Sequence, residues 1–502
     1  DSNGNIDTRE THRALPNVCP CCGLNNQRRR NDSRKSKVTS IRGFRTGFAK
    51  TTQMFAKELM YQLPNSEAER KLVVFSDSRE DAAQIANGIE RNHFTDLMRE
   101  VLVNELHTNL MLRFQIVNAF DSADTARQAE LRQQSQSIFD EVEYIIEKSN
   151  YSGANTNRLR EQEDAIAKLN EYRSLLINVR ELVHISNSLN LAPLIKRFSE
   201  LGINPGGNDI SIQSWLHDGR FIPWYELINF DREEWRAGIS DGFIDEIRTG
   251  TYTNLASMFF GSLFYSFESS ALGYVSINPD LQVITDQAAA IAIAREEFLQ
   301  IVNSTIRILG DKWKHNKVDD TNPFNFTAYR ELPGQVKKYI RQVADRYSKQ
   351  EAEIGDAVFT TLSTSGLLTG DTGIQIENLF IKVARSTDPV WTSTRGSRPH
   401  LHFSGGICTY SATQLQAQPD NVCDNIWDEN YLSYNAIKKQ RQPIRLHCEE
   451  LTGQTDDQFE RQRHFRNIIL PDEGMRQVKT IDLLSVTTTL EVGVDIGALQ
   501  AV

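Results

Sequence analysis

The 502-residue chain is 39% hydrophobic and 24% charged, an ordinary globular composition with room for two or three domains. Its net charge of −10 excludes a surface that attracts nucleic acid as a whole, so any such contact has to come from a local patch. No apolar run is long enough to span a bilayer, and the polar start DSNGNIDTRE is not a signal peptide; six cysteines, three of them clustered, form no disulfide framework and fit a reducing, cytoplasmic compartment.

Residues 1–40 are polar. Their landmark is Cys19-Pro-Cys21-Cys22-Gly23, in which Cys19-x-x-Cys22 with a following glycine is the turn of a zinc knuckle. Half a site leaves two readings open: structural Zn2+ held with a distant pair, or a metal-free remnant. The run RRRNDSRKSK over 28–37 reads as a solvated basic loop.

Residues 39–63 hold Gly43, Gly47, Lys50 and Thr51, but two residues separate Gly47 from Lys50 and no strand precedes. A phosphate loop needs Gly-x4-Gly-Lys-Ser/Thr, so that consecutive N–H groups and the lysine converge on one phosphate. The reading is a loop followed by a helix from about Thr51 to Leu63. Residues 71–79, KLVVFSDSR, predict a buried strand closed by a Ser-Asp-Ser turn. After it, EDAAQIANGIER predicts an amphipathic helix with Ala83, Ile85, Ala86 and Ile89 inward and Ser78 or Asp77 as N-cap.

From Phe94 to about Ser386 the pattern turns helical. Ile138, Val142 and Ile145, then Leu159, Ile166, Leu169, Leu176, Val179 and Val183, recur at helical spacing on either side of Tyr151-Ser-Gly153, which predicts a long antiparallel hairpin. The apolar run 255–274 predicts a core helix. Asp245-Glu246 follows no buried strand and is read as a surface pair, not a magnesium-binding motif.

Residues 445–465, RLHCEELTGQTDDQFERQRHF, predict a strand, a Leu-Thr-Gly turn and a basic helix. The last stretch, IDLLSVTTTLEVGVDIGALQAV, opens with Ile481, Leu483, Leu484 and Val486, a buried strand. A strand ending in threonines and a glycine-bearing turn suits oxyanion binding through hydroxyls and backbone N–H groups.

The stretch 481–502 resembles motif V of superfamily 2 (DEAD/DEAH-type) helicases, residues 71–91 resemble their motif IV, and residues 445–465 resemble the segment between, in the family's order. With the long helical insertion, the set is most similar to the large helicase of Druantia-type bacterial anti-phage systems. The resemblance covers roughly residues 41–106 and 401–502. It implies an ATP-dependent DNA helicase or translocase, a hydrolase acting in antiviral defence with ATP and Mg2+ as cofactors. It also implies an α/β fold: a RecA-like parallel sheet interrupted by a large, mostly α-helical insertion. The division is 1–40 polar segment, 41–106 first part of the second RecA-like domain, 107–390 insertion, 391–420 degenerate zinc-ribbon-like segment, and 421–502 second part of that domain.

Carried over residue by residue, the resemblance assigns Ser76, Ser78, Arg79, Thr487 and Thr488 to nucleic-acid backbone contacts, with Thr452 and Gly453 beside them. Glu491, Gly493 and Asp495 would couple that contact to ATP. In residues 390–415 the family's ribbon thiolates correspond to Ser393, Gly396, Cys408 and Ser411, so no metal is expected there, and His400 and His402 are read as surface or stacking residues. The lack of an initiator Met and the motif cut at Val502 suggest a piece of a longer protein, whose phosphate loop would lie upstream and whose arginine finger downstream. Catalysis by this stretch alone is therefore not expected. The insertion would meet other defence proteins; no membrane is involved. The competing class is a non-enzymatic scaffold or partner-binding module on a degenerate helicase fold. A Gly-x4-Gly-Lys-Ser/Thr upstream would separate the two.

Overall fold

The computed structural model describes residues 48–63, 70–151, 156–186, 188–207, 212–213, 221–260, 266–318, 324–393, 396–453, 455–471 and 475–487. The chain enters through helix α1 (Phe48–Gln62), strand β1 (Leu72–Ser76) and helix α2 (Arg79–Asn104). The helical middle contains α3 (Gln136–Ser149), α4 (Thr156–Ser174), β2 (Leu176–Asn178), β3 (Gly273–Ser276), α5 (Arg295–Asp311) and β4 (Phe380–Val383). A hairpin of β5 (Pro389–Ser393) and β6 (Gly396–His400) follows. The chain then returns through β7 (Cys448–Leu451), α6 (Gln458–Phe465) and β8 (Leu483–Thr487).

The two ends meet in one sheet. β8 lies between β1 and β7 and is parallel to both, with Val73 opposite Leu484 and Glu449 opposite the same residue. Both faces are covered, which is why β1 and β8 read as near-continuous apolar runs, while the edge strand β7 carries Glu449 and Glu450. Strand alternation sends Leu72, Cys448 and Leu483 toward Ala56, Met60, Ile85 and Ile89 of α1 and α2. It sends Val73, Leu451, Leu484 and Val486 toward Phe465 of α6. Gly88 lets α1 and α2 approach: a Cβ there would stand 2.4 Å from Ala49 Cβ. Sequence predicts mixed α/β structure with a parallel sheet, and the chain is mixed α/β with one three-stranded parallel sheet among the described residues.

α2 begins as its residues dictate. Ser78 is the N-cap, with extended backbone, its Oγ accepting the Asp81 N–H at 3.1 Å, and Glu80 and Asp81 favour the positive helix end. The inward stripe starts at Ala82 rather than Ala83. The helix does not stop at Arg91. Its second half, from Phe94 through Val103, enters the large core of the helical middle, so α2 spans both parts of the fold.

That middle corrects several expectations. α3 and α4 do form a hairpin, but its inner face on α4 is Ala165, Leu169 and Tyr172. Leu159 and Ile166 point outward, 45% and 42% exposed, one residue and about 100° off the buried stripe. α4 stops at Ser174; Leu176 continues as β2, which pairs antiparallel with β4, and β4 pairs with β3, while Val179 and Val183 are buried in a separate short helix, Val179–Val183. The apolar run 255–274 is not one helix. Leu255, Met258 and Phe259 close the helix Asp241–Phe259, and Gly273 and Tyr274 open β3. Asp245 and Glu246 are exposed on that helix, as expected of a surface pair. Cys423 and Trp427 pack against Ala271 and Val390. No helix of the described residues is long and apolar enough to cross a membrane.

Candidate nucleic-acid interface at the carboxyl edge of the parallel sheet

Because the three strands run parallel, their carboxyl ends share one edge. Ser76 stands opposite Thr487, and Leu451 opposite Val486, which brings Thr452 level with both. α2 starts beside this row at Arg79, and α6 starts on the other face at Gln458. Open parallel sheets bind ligands at this edge because helix N-termini and loop N–H groups converge there.

The side chains are held by short local bonds. Ser76 Oγ donates to the Ser78 carbonyl at 2.9 Å. Thr452 Oγ1 donates to Glu450 Oε1 at 3.0 Å, and its N–H donates to Thr455 Oγ1 at 2.8 Å. Gly453 stands open, with nothing within 4 Å of where a Cβ would be. Arg79 is 56% exposed, its Nε 3.4 Å from Glu450 Oε1. Six of the residues read from sequence thus lie together: Ser76, Ser78, Arg79, Thr452, Gly453 and Thr487. Thr488, Glu491, Gly493 and Asp495 lie outside the described residues, as do Cys19 and Cys22.

Sequence reading missed Glu450. In CEEL, strand alternation sends the two glutamates to opposite faces. Glu449 takes Arg461 at 3.0 Å, and Glu450 reaches Arg79 and Thr452. The edge also carries Asp77, Glu80, Asp81, Asp456 and Asp457, all exposed. Among the described residues it is not a basic patch. A polyanion would be held here mainly by hydroxyls, N–H groups and Arg79.

The amino edge is locked. Arg445 grips Asp482 with two bonds, at 2.8 and 3.0 Å, and donates to the Thr480 carbonyl at 2.8 Å. The His447 N–H donates to Asp482 Oδ2 at 2.9 Å. Burial would raise the Asp482 pKa, but Arg445 outweighs it and holds the carboxyl below its usual range. On the α2 face, Glu90 accepts the Cys448 N–H at 3.0 Å, and its pKa is raised by burial.

In the ribbon-like segment, hydroxyls stand where the family resemblance puts thiolates. Ser393 Oγ lies 3.2 Å from Ser411 Oγ and 2.9 Å from Thr413 Oγ1, and Cys408 Sγ accepts the Ser411 N–H at 3.4 Å. One thiol among hydroxyls does not fit a structural zinc. Among the described residues no group of three or more His, Cys, Asp or Glu is placed to hold a metal ion. His400 and His402 are buried, not on the surface. His402 meets Tyr274 edge-on at 4.8 Å, and burial pushes its pKa down to about 3.

The chain matches no protein-family model, no curated protein and no solved structure.

Proposed function

We propose that residues 48–106 and 440–502 belong to the second RecA-like domain of an ATP-driven DNA translocase of the superfamily 2 kind, interrupted by a helical insertion. The observation that carries this reading is the single parallel sheet joining β1 to β8, which lines up Ser76, Thr452 and Thr487 on one edge. A motor needs sequence-independent grips that it can release, and backbone phosphates provide them. Hydroxyls and N–H groups, with one arginine, give a weak grip suited to stepping. Glu491, Gly493 and Asp495, which follow β8 directly, would couple that grip to ATP and Mg2+. Bacterial antiviral defence in the cytoplasm is the setting this reading carries with it, with partner proteins on the insertion.

One observation favours a second reading. The acids around the edge, Asp77, Glu80, Asp81, Glu450, Asp456 and Asp457, suit a degenerate scaffold that binds a protein partner. Binding of a labelled DNA strand by the 502-residue chain, titrated over salt, separates the two. Measurable affinity that falls with salt supports the translocase reading. Its absence at low salt supports the scaffold.

A further inference from the structure

Beside the hydroxyl row stands one side chain whose placement the fold's stability does not account for. Phe459 is 84% exposed, the most exposed of the large hydrophobic side chains described. It sits in the first turn of α6, one residue after Gln458, whose Nε2 donates to the Thr452 carbonyl at 3.0 Å. Phe459 is therefore fixed close to the end of β7. Asp457, with φ of +56°, turns the chain sharply just before it. Among the described residues nothing lies within 4 Å of where a Cβ of Gly453 would be.

We infer that Phe459 is a stacking platform for an unpaired base of a single-stranded nucleic acid whose backbone lies along Ser76, Thr452 and Thr487; the inference rests on the translocase reading. An aromatic face takes any base and adds affinity without reading sequence, as a translocase requires. The two faces of the sheet set the strand's orientation. Arg79 and the capped start of α2 lie on one face and α6 with Phe459 on the other. Phosphates at the hydroxyl row and Arg79 therefore leave the bases to reach toward α6. Phe459 is available because Phe465, one helical face away, fills the core under α6.

The experiment measures anisotropy of fluorescein-labelled oligo(dT), and of an abasic strand of equal length, with the whole chain. Phe459→Ala is expected to weaken oligo(dT) binding by roughly five- to 150-fold. It should leave the abasic strand and the slope of log K against log salt unchanged, because no phosphate contact is lost. Phe459→Trp should restore oligo(dT) binding. Equal affinity of wild type and Phe459→Ala for oligo(dT), or equal losses on both strands, overturns the inference. If Arg79→Ala weakens binding while Phe459→Ala does not, stacking is overturned and the translocase reading stands. If the wild-type chain binds neither strand, both fall, and Phe459 becomes a contact for a protein partner.

Discussion

Val73 lies directly opposite Leu484 in a parallel ladder, with their side chains on the same face against Phe465. The same ladder sets Ser76 Oγ 3.4 Å from the Val486 carbonyl, across 410 residues of chain. Closing so long a loop costs entropy that grows only slowly with length, so a well-packed sheet can hold the insertion between its strands.

Leu484→Ala should therefore act on both ends of the chain. Leu484 is fully buried in the central strand, and truncation is expected to cost about 2–5 kcal/mol. Hydrogen exchange would report it: protection should fall in β1 as well as in β8. Loss confined to β8 would mean that the two strands do not share a core.

The helical middle contains a buried ion pair, Arg307 with Glu268, 2.6 Å apart and 4% and 6% exposed. Arg307 also donates to the Pro399 carbonyl at 3.1 Å, tying α5 to β6. Arg307→Met leaves Glu268 buried and unpaired, so urea denaturation should show a loss of about 3–5 kcal/mol. Adding Glu268→Gln should recover part of it. A larger loss in the double variant would show that the carboxylate is not what destabilises the single one.

Acid should unfold the chain early. Burial pushes His93 and His107 down to about 4 and His402 to about 3. The unfolded chain takes up these protons near pH 6.5 and the folded chain does not, so stability is full above that pH and lost as pH falls toward 4. Each histidine contributes a slope of about 1.4 kcal/mol per pH unit in that window. Urea midpoints at pH 7, 6 and 5 should fall progressively, and His107→Gln should flatten the decline. Midpoints independent of pH would contradict the burial of these rings.

The sheet was readable because short apolar runs such as Leu72–Phe75 and Leu483–Val486 have one solution, a strand covered on both faces. Capping was readable at Ser78 for a similar reason: the bond it makes is local. The middle was not. Leu159 and Ile166 fit a helical period with Leu169 as well as Ala165 and Tyr172 do, and only tertiary packing chose Ala165 and Tyr172 to be buried with it. The run 255–274 carries enough hydrophobicity for a helix, but its second half is drawn into the antiparallel sheet beside β4. At the candidate site, sequence placed the hydroxyls and Arg79 on one edge. It did not reveal Glu450, because a carboxylate on a strand gains its partner only when α2 is laid across the sheet.

The measurement that bears most directly on the account is DNA binding by Arg79→Ala and Glu450→Gln, titrated over salt. Arg79 is half exposed and partnered by Glu450, so its phosphate contact is worth only about 1 kcal/mol, roughly fivefold in affinity. Arg79→Ala should weaken binding by that factor for every sequence tested and reduce the salt slope by about one unit. Glu450→Gln should do the opposite: it removes one carboxylate that competes with phosphate for Arg79 and raises affinity. Unchanged affinity and slope in Arg79→Ala, with no gain in Glu450→Gln, would contradict the placement of nucleic acid at this edge.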